Sequence, residues 1–350
     1  MDEAKLESLM GSLIGHMTGT ALCFAIWLGD EVGFYRTMAG AGPMTADQLA
    51  AGVGTNPRLT LEWLNGQAAG GLLEHDAAAG TYTLSEEAAI PLSDENSPYF
   101  VARGVSVLAS FFDDFAKIVG AFKGDGALAW GDHHEHLFRG TEWFFRPGYR
   151  AMLASMWIPA MDGVADKLAA GGRVADVGCG HGASAVAMAE AYPASRIHGF
   201  DYHDPSIQTA GKRAAEAGVQ DRVEFATAGA KAYPGTYDLV CFFDCLHDMG
   251  DPVGIAAYAR EHLEPGGSLL IVEPFALDGT VNITDNPIAA LLYTASAAVC
   301  TPNSLSQEIG LGLGAQAGPA RLTDVLNEAG FSRVKVVFST PLNLIIQARV

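Results

Sequence analysis

Between Gly171 and Val350, short β-rich runs alternate with helical stretches, and this alternation restricts the fold of the chain more than any other feature. Arg173–Gly178, Arg196–Asp201, Val223–Thr227, Tyr237–Phe243 and Ser268–Glu273 read as strands, with helical sequence between most of them. Strands joined by crossover helices pair in parallel, because the helix returns the chain to the same end of the sheet. The last two runs, Arg333–Phe338 and Leu344–Val350, are separated only by Ser339–Asn343, too little chain for a crossover. They must form an antiparallel hairpin. The expected architecture is α/β, a doubly wound seven-stranded sheet ending in that hairpin.

The first part of the chain reads differently. Leu6, Leu9, Met10, Leu13, Ile14 and Met17 fall on one helical face, and that apolar stripe needs a partner. A second helical stretch, Thr20–Met38, leads to Gly40-Ala41-Gly42-Pro43. Thr45 then caps a short helix, Ala46–Gly52, and Asn56-Pro57 opens another over Arg58–Ala69. Leu72–Glu74 and Thr81–Leu84 flank the turn Ala79-Gly80 as a hairpin. Three helices followed by a hairpin form the winged-helix pattern. DNA-binding versions are basic along the recognition helix, whereas Asn56–Ala69 carries Arg58 as its one cation, with Glu62 against it. A dimerisation module within a homodimer is therefore expected, and nucleic acid is not. Residues 97–170 read as a helical, aromatic connector whose rings are mostly core. The expected domains are 1–96, 97–170 and 171–350.

Composition agrees with a folded globular chain: 350 residues, 49% apolar and 17% charged, which excludes disorder and coiled coil. The net charge of −19 repels phosphate backbones and anionic membrane surfaces. Cys23, Cys179, Cys241, Cys245 and Cys300 are odd in number and scattered, so no disulfide framework is indicated and a reducing cytoplasm is expected. The apolar stretches Ala21–Leu28 and Ile288–Cys300 fall short of the roughly 20 residues needed to span a bilayer, so no membrane partner is expected.

Asp176-Val177-Gly178-Cys179-Gly180-His181-Gly182 places three glycines at the turn from a strand into the helix Ala183–Ala191. Such a turn lets the backbone bend sharply and lie against a ligand. Asp201, ending the second strand, stands where an acid can accept both ribose hydroxyls of an adenosine, as in S-adenosylmethionine or NAD. The antiparallel last strand favours the former. Asp244-Cys245-Leu246-His247-Asp248 follows the fourth strand, and an imidazole there suits a general base, being mostly neutral near pH 7. Asp132-His133-His134-Glu135-His136 offers metal-type ligands but reads as a solvated loop, so no metal is expected. Residues 286–318 form a long insertion with a flexible Gly310-x-Gly312-x-Gly314 stretch, placed where a substrate cover belongs.

With Leu263-Glu264-Pro265-Gly266-Gly267-Ser268-Leu269-Leu270-Ile271 leading into the fifth strand, residues 171–350 resemble the class I S-adenosylmethionine-dependent methyltransferases, whose sheet is Rossmann-like. Together with the winged helix, the chain resembles the dimeric small-molecule O-methyltransferases. The resemblance implies S-adenosylmethionine as cofactor, S-adenosylhomocysteine as product, and a small apolar or aromatic acceptor, hydroxyl favoured. It implies cofactor contacts at Asp176, Gly178, Cys179, Gly180, Asp201, Tyr202, Gly229, Ala230 and Phe243. Gly229 stands where the family often has an acid near the adenine. His247 matches the family's base and Glu273 the carboxylate that orients it, while Met249 replaces the family's Trp and a second orienting acid before the helix Thr323–Ala329 is not evident. Trp143, Phe144, Met156 and Tyr293 are candidates for an apolar acceptor pocket. A regulator that binds cofactor without turnover is the alternative reading.

Overall fold

No proline interrupts the chain between Asp2 and Gly33, and it forms one helix, Glu3–Val32. Asp2 caps its start by accepting the Lys5 N–H, and Gly33, at φ +89°, ends it. The separate helix read over Thr20–Met38 is thereby corrected, since only Phe34–Met38 lies beyond the break. The computed structural model describes every residue, Met1–Val350. This first helix, unlike the two shorter apolar stretches read from sequence, is long and apolar enough to cross a membrane by length and composition. Leu6, Leu9, Met10, Leu13, Ile14 and Met17 are all exposed on it.

Residues Met1–Ser110 and Arg139–Pro147 form one compact unit, and Phe111–Phe138 with Gly148–Val350 form the other. The segment read as a single connector, 97–170, is thus shared between them. In the first unit Thr45 and Gln48 make a reciprocal capping box for the helix Ala46–Val53, and Asn56 caps Pro57–Ala69. β1 (Glu74–Asp76) and β2 (Thr81–Thr83) pair as the wing, and Met44 bridges to Tyr82. β1 lies two residues later than read, while β2 begins at Thr81 as read, because Asp76 Oδ1 accepts the Ala78 and Ala79 N–H groups and fixes the turn there. Arg58 pairs with Glu62 one turn on, so its charge is partly spent within its own helix. Tyr35, Met38, Leu49, Leu64, Tyr82 and Trp143 sit in this unit's core.

The second unit contains β3 (Arg173–Val177), β4 (Arg196–Asp201), β5 (Val223–Thr227), β6 (Tyr237–Phe243), β7 (Leu263–Pro274), β8 (Arg333–Ser339) and β9 (Asn343–Arg349). They make a seven-stranded sheet in the order β5-β4-β3-β6-β7-β9-β8. The first five are parallel, and β9 pairs antiparallel with both β7 and β8. Val240, Phe242, Leu269, Ile271 and Ile346 are fully buried where the sheet meets its helices, and near-continuous apolar runs are what a sheet covered on both faces requires. The aromatic segment is less uniformly core than expected. Trp157 is buried, but Phe112 and Phe115 are 68% and 64% exposed. The insertion read over 286–318 is helical across Ala289–Ala295, Ser296–Cys300 and Thr301–Leu305. The helix expected at Thr323–Ala329 begins earlier and spans Gly318–Glu328.

Candidate active site

The strand order reverses between β3 and β6, and in a doubly wound sheet ligands bind beyond the carboxyl ends of the strands at such a point. After β3 the backbone turns with φ +76° at Gly178 and +51° at Gly180, in the left-handed region that favours glycine. A Cβ on Gly178 would lie 2.8 Å from Cys245 Sγ, so the turn packs tightly against the loop after β6. One on Gly180 would meet no atom within 4 Å. Gly180 therefore presents bare backbone to open space, where a ligand can lie against it.

The loop is tied to β4. Gly178 and Cys179 donate their N–H groups to the Phe200 carbonyl, at 2.7 and 3.1 Å. Asp201 accepts the Gly180 N–H on Oδ2 and the His203 N–H on Oδ1, each at 2.9 Å. Burial raises the Asp201 carboxyl above its ordinary value, against the opposing pull of those two N–H groups. Asp176 is fully buried. Its Oδ2 accepts the Ser184 hydroxyl at 2.6 Å, its Oδ1 has no hydrogen-bond partner, and burial pushes its pKa up to about 7. The Ala228 N–H donates to the Asp201 carbonyl at 2.9 Å, which sets Gly229 and Ala230 beside the end of β4. A Cβ on Gly229 would also meet no atom within 4 Å. Tyr202 is exposed, and Phe243 is buried with its ring 5.3 Å from that of Tyr149. Bare backbone, an acid with acceptor capacity left on both oxygens and an unpartnered buried carboxylate oxygen fit an adenosyl cofactor with a cationic amino acid tail.

His247 lies in a short turn after β6 and is only 3% exposed. Its Nδ1 pairs with Glu273 Oε2, near the end of β7, and its own N–H donates to Glu273 Oε1 at 3.3 Å. The Gly314 N–H donates to the His247 carbonyl at 3.0 Å, so the glycine stretch read as flexible is fastened to this turn. Burial alone would push the imidazole down, but the Glu273 carboxylate and the Cys300 thiol, which hydrogen bonds to the ring, outweigh it and raise the pKa well above the usual value. The neutral imidazole read from sequence assumed an unperturbed ring, whereas here the Glu273 carboxylate shifts the balance toward the imidazolium. This cation is held by the buried carboxylate.

Beside this pair stands Asp244, in the left-handed region at φ +51°. It accepts the Tyr149 hydroxyl at 2.7 Å and the Asn343 amide at 2.8 Å, and burial pushes its pKa up to about 8. Asp244 lay within the run read as the reacting loop. Tyr149, Asn343 and Cys300 come from distant segments and carry no local motif. Of the acceptor-pocket candidates, Trp143 is buried in the first unit, with the Arg103 guanidinium 4.2 Å from its ring centroid. Phe144 packs edge-on against Phe145 in the same unit. Met156 and Tyr293 are exposed in the second unit, where the Asn282 amide donates to the Tyr293 hydroxyl at 3.2 Å.

Residues 168–330 match the family model described as a methyltransferase domain, and residues 20–94 match an Rv2258c-like winged HTH domain. The 27-O-demethylrifamycin SV methyltransferase of Amycolatopsis mediterranei is 36% identical over 107 residues, 30% of this chain and 39% of that protein. The ubiquinone biosynthesis O-methyltransferase of Leptothrix cholodnii is 32% identical over 137 residues, 38% of this chain and 55% of that one. The chain thus spans about two-fifths to a little over half the length of these curated relatives. The fold is shared with the mitomycin 7-O-methyltransferase MmcR, at a TM-score of 0.69 and 18% identity over 100% of both chains. It is also shared with human N-acetylserotonin methyltransferase in complex with SAM, at a TM-score of 0.69 and 20% identity over 100% of this chain and 98% of that one. Residues 168–330 are therefore a methyltransferase domain, preceded in the same chain by a winged helix-turn-helix domain of the Rv2258c-like family.

Proposed function

We propose that this chain transfers a methyl group from S-adenosylmethionine to a small apolar or aromatic acceptor, at a hydroxyl, with His247 as general base. The observation that carries the reading is the buried His247–Glu273 pair at the carboxyl ends of β6 and β7, beside the glycine turn. When bound, the cofactor supplies an electrophilic methyl on a sulfonium sulfur. The Gly178–Gly180 backbone and Asp176 hold the amino acid portion, and Asp201 accepts the ribose hydroxyls. Tyr202, Gly229, Ala230 and Phe243 flank the adenosyl moiety. Met156 and Tyr293 are the acceptor-side candidates of the second unit. The similarity to the ubiquinone biosynthesis O-methyltransferase of Leptothrix cholodnii supports oxygen as the atom methylated.

His247 accepts the hydroxyl proton as the acceptor oxygen attacks, and Glu273 balances the imidazolium that forms. Alignment of oxygen, methyl and sulfur with water excluded supplies the rest of the acceleration. The Cys300 thiol occupies a hydrogen-bonding position on the imidazole, and the acceptor hydroxyl takes that place. Incubating the chain with S-adenosylmethionine and a panel of phenols, and measuring S-adenosylhomocysteine, tests the activity. Acceptor-dependent product is expected, and cofactor binding with no turnover of any phenol would favour the regulator instead.

Because the Glu273 carboxylate raises the His247 pKa, activity should increase with pH as the imidazolium gives up its proton. Glu273→Gln removes the charge, so burial then lowers the imidazole pKa. The acidic limb of the kcat/KM profile should move down by about one pH unit or more, with a lower plateau. An unmoved limb would separate Glu273 from the base.

The exposed stripe of Glu3–Val32 should be covered by a second copy of the chain. Light scattering in detergent-free buffer should give a dimer mass, and deletion of residues 1–80 should give monomers or aggregates. A full-length monomer, or a chain recovered only with detergent, would contradict this.

A further inference from the structure

The loop read as solvated, Asp132–His136, meets a carboxylate that sequence proximity did not reveal. Asp113 closes the helix Val107–Asp113, and His134 caps the helix Glu135–Met152. Asp113 Oδ2 lies 2.7 Å from His136 Nδ1 and 3.3 Å from His134 Nδ1. One ligand atom from each of the three residues falls within 4.8 Å of the others. Imidazole nitrogens and carboxylate oxygens bind zinc at about 2.0–2.2 Å, which sets neighbouring donors about 3 Å apart.

His134 Nδ1 accepts the His136 N–H at 3.3 Å, so it carries no proton, and it lies 3.3 Å from Asp113 Oδ2, a second acceptor. A cation bound by both removes the repulsion between them, taking the Nδ1 lone pair from that N–H and displacing the proton shared by His136 Nδ1 and Asp113. Lys117 is committed elsewhere, donating to Asp114 Oδ1 at 2.7 Å and to the Asp132 carbonyl at 2.5 Å. The neighbouring His133 is also taken, with its Nδ1 3.0 Å from Asp114 Oδ2. The loop is therefore anchored by one His–Asp pair beside a second cluster whose donors converge.

We propose that Asp113, His134 and His136 bind a divalent transition ion of the zinc type. Two imidazoles and one carboxylate suit zinc, nickel or copper better than magnesium, and three protein ligands leave room for water. The ion ties the end of Val107–Asp113 to a loop whose Phe138 ring packs 4.8 Å from that of His203, two residues beyond Asp201. Its role is a structural clamp next to the ribose side of the crevice.

The test uses full-length, untagged, chelator-stripped protein titrated with Zn²⁺, read by calorimetry and melting temperature. One Zn²⁺ per chain should bind at micromolar Kd or tighter, and saturation should raise the melting temperature by several degrees. Mg²⁺ should leave both readouts unchanged. The double substitution His134→Ala/His136→Ala should weaken Zn²⁺ binding at least tenfold while S-adenosylhomocysteine still binds, which keeps failure of the clamp separate from failure of the proposed function. Should that variant not fold, Asp113→Asn, at an exposed position, should give the same loss. No binding at about 100 µM free Zn²⁺, equal affinity in wild type and variants, or equal binding of Mg²⁺ would overturn the proposal.

Discussion

Substituting His247 by Gln is expected to lower turnover of a hydroxyl acceptor by about 10²–10⁴-fold, or about 3–5 kcal/mol of barrier, with little change in S-adenosylhomocysteine affinity. Gln keeps much of the size and polarity of the side chain, and it can still reach the Glu273 carboxylate, but it takes no proton near neutral pH. His247 is nearly buried and held from two sides, by Glu273 and by the Gly314 N–H on its carbonyl. Circular dichroism and calorimetry on the variant therefore belong beside the rate, to separate lost chemistry from a displaced turn. A readily ionised acceptor, or methylation at carbon or nitrogen, would shrink the effect to a few-fold, because alignment alone then suffices. An unaltered rate and pH profile with a hydroxyl acceptor would return His247 to a purely structural role.

The parallel sheet was legible because its central strands, β3, β6 and β7, are buried apolar runs. Arg196–Asp201, Val223–Thr227 and Tyr237–Phe243 have the bounds read from sequence. The terminal hairpin followed from chain length alone, since five residues cannot hold a crossover helix. The first helix shows where local reading fails. Its stripe announced a helix, but Gly11, Gly15 and Gly19 weaken propensity without breaking a helix, so only Gly33, in the left-handed conformation, marks the end. At the site, the glycine turn and its acids are contiguous signals, and Gly180 and Asp201 are indeed joined by a hydrogen bond.

The surroundings of the base were less legible. Tyr149, Cys300 and Asn343 reach the β6 edge only through tertiary packing, and none lies in a motif. The upward shift at His247 was not legible for the same reason. An isolated imidazole is mostly neutral at pH 7, and the buried carboxylate that raises its pKa comes from another strand. Trp143 looked like a pocket residue by its type, yet it stacks with Arg103 in the core of the first unit.

Asp201→Ala is expected to weaken S-adenosylhomocysteine binding by about 1.5–3 kcal/mol, the range for hydrogen bonds to a charged group. The carboxylate also accepts the Gly180 and His203 N–H groups, so Ala removes ribose acceptors and loosens the glycine turn together. Asp201→Asn, which keeps one acceptor oxygen, should fall between wild type and Ala. An unchanged affinity would place the ribose elsewhere. The wild-type titration behind this comparison tests the central claim most directly: calorimetry of the full-length chain with S-adenosylhomocysteine and, separately, with NAD. One equivalent of S-adenosylhomocysteine should bind and NAD should give no binding heat, whereas tight NAD binding without S-adenosylhomocysteine binding would contradict the account.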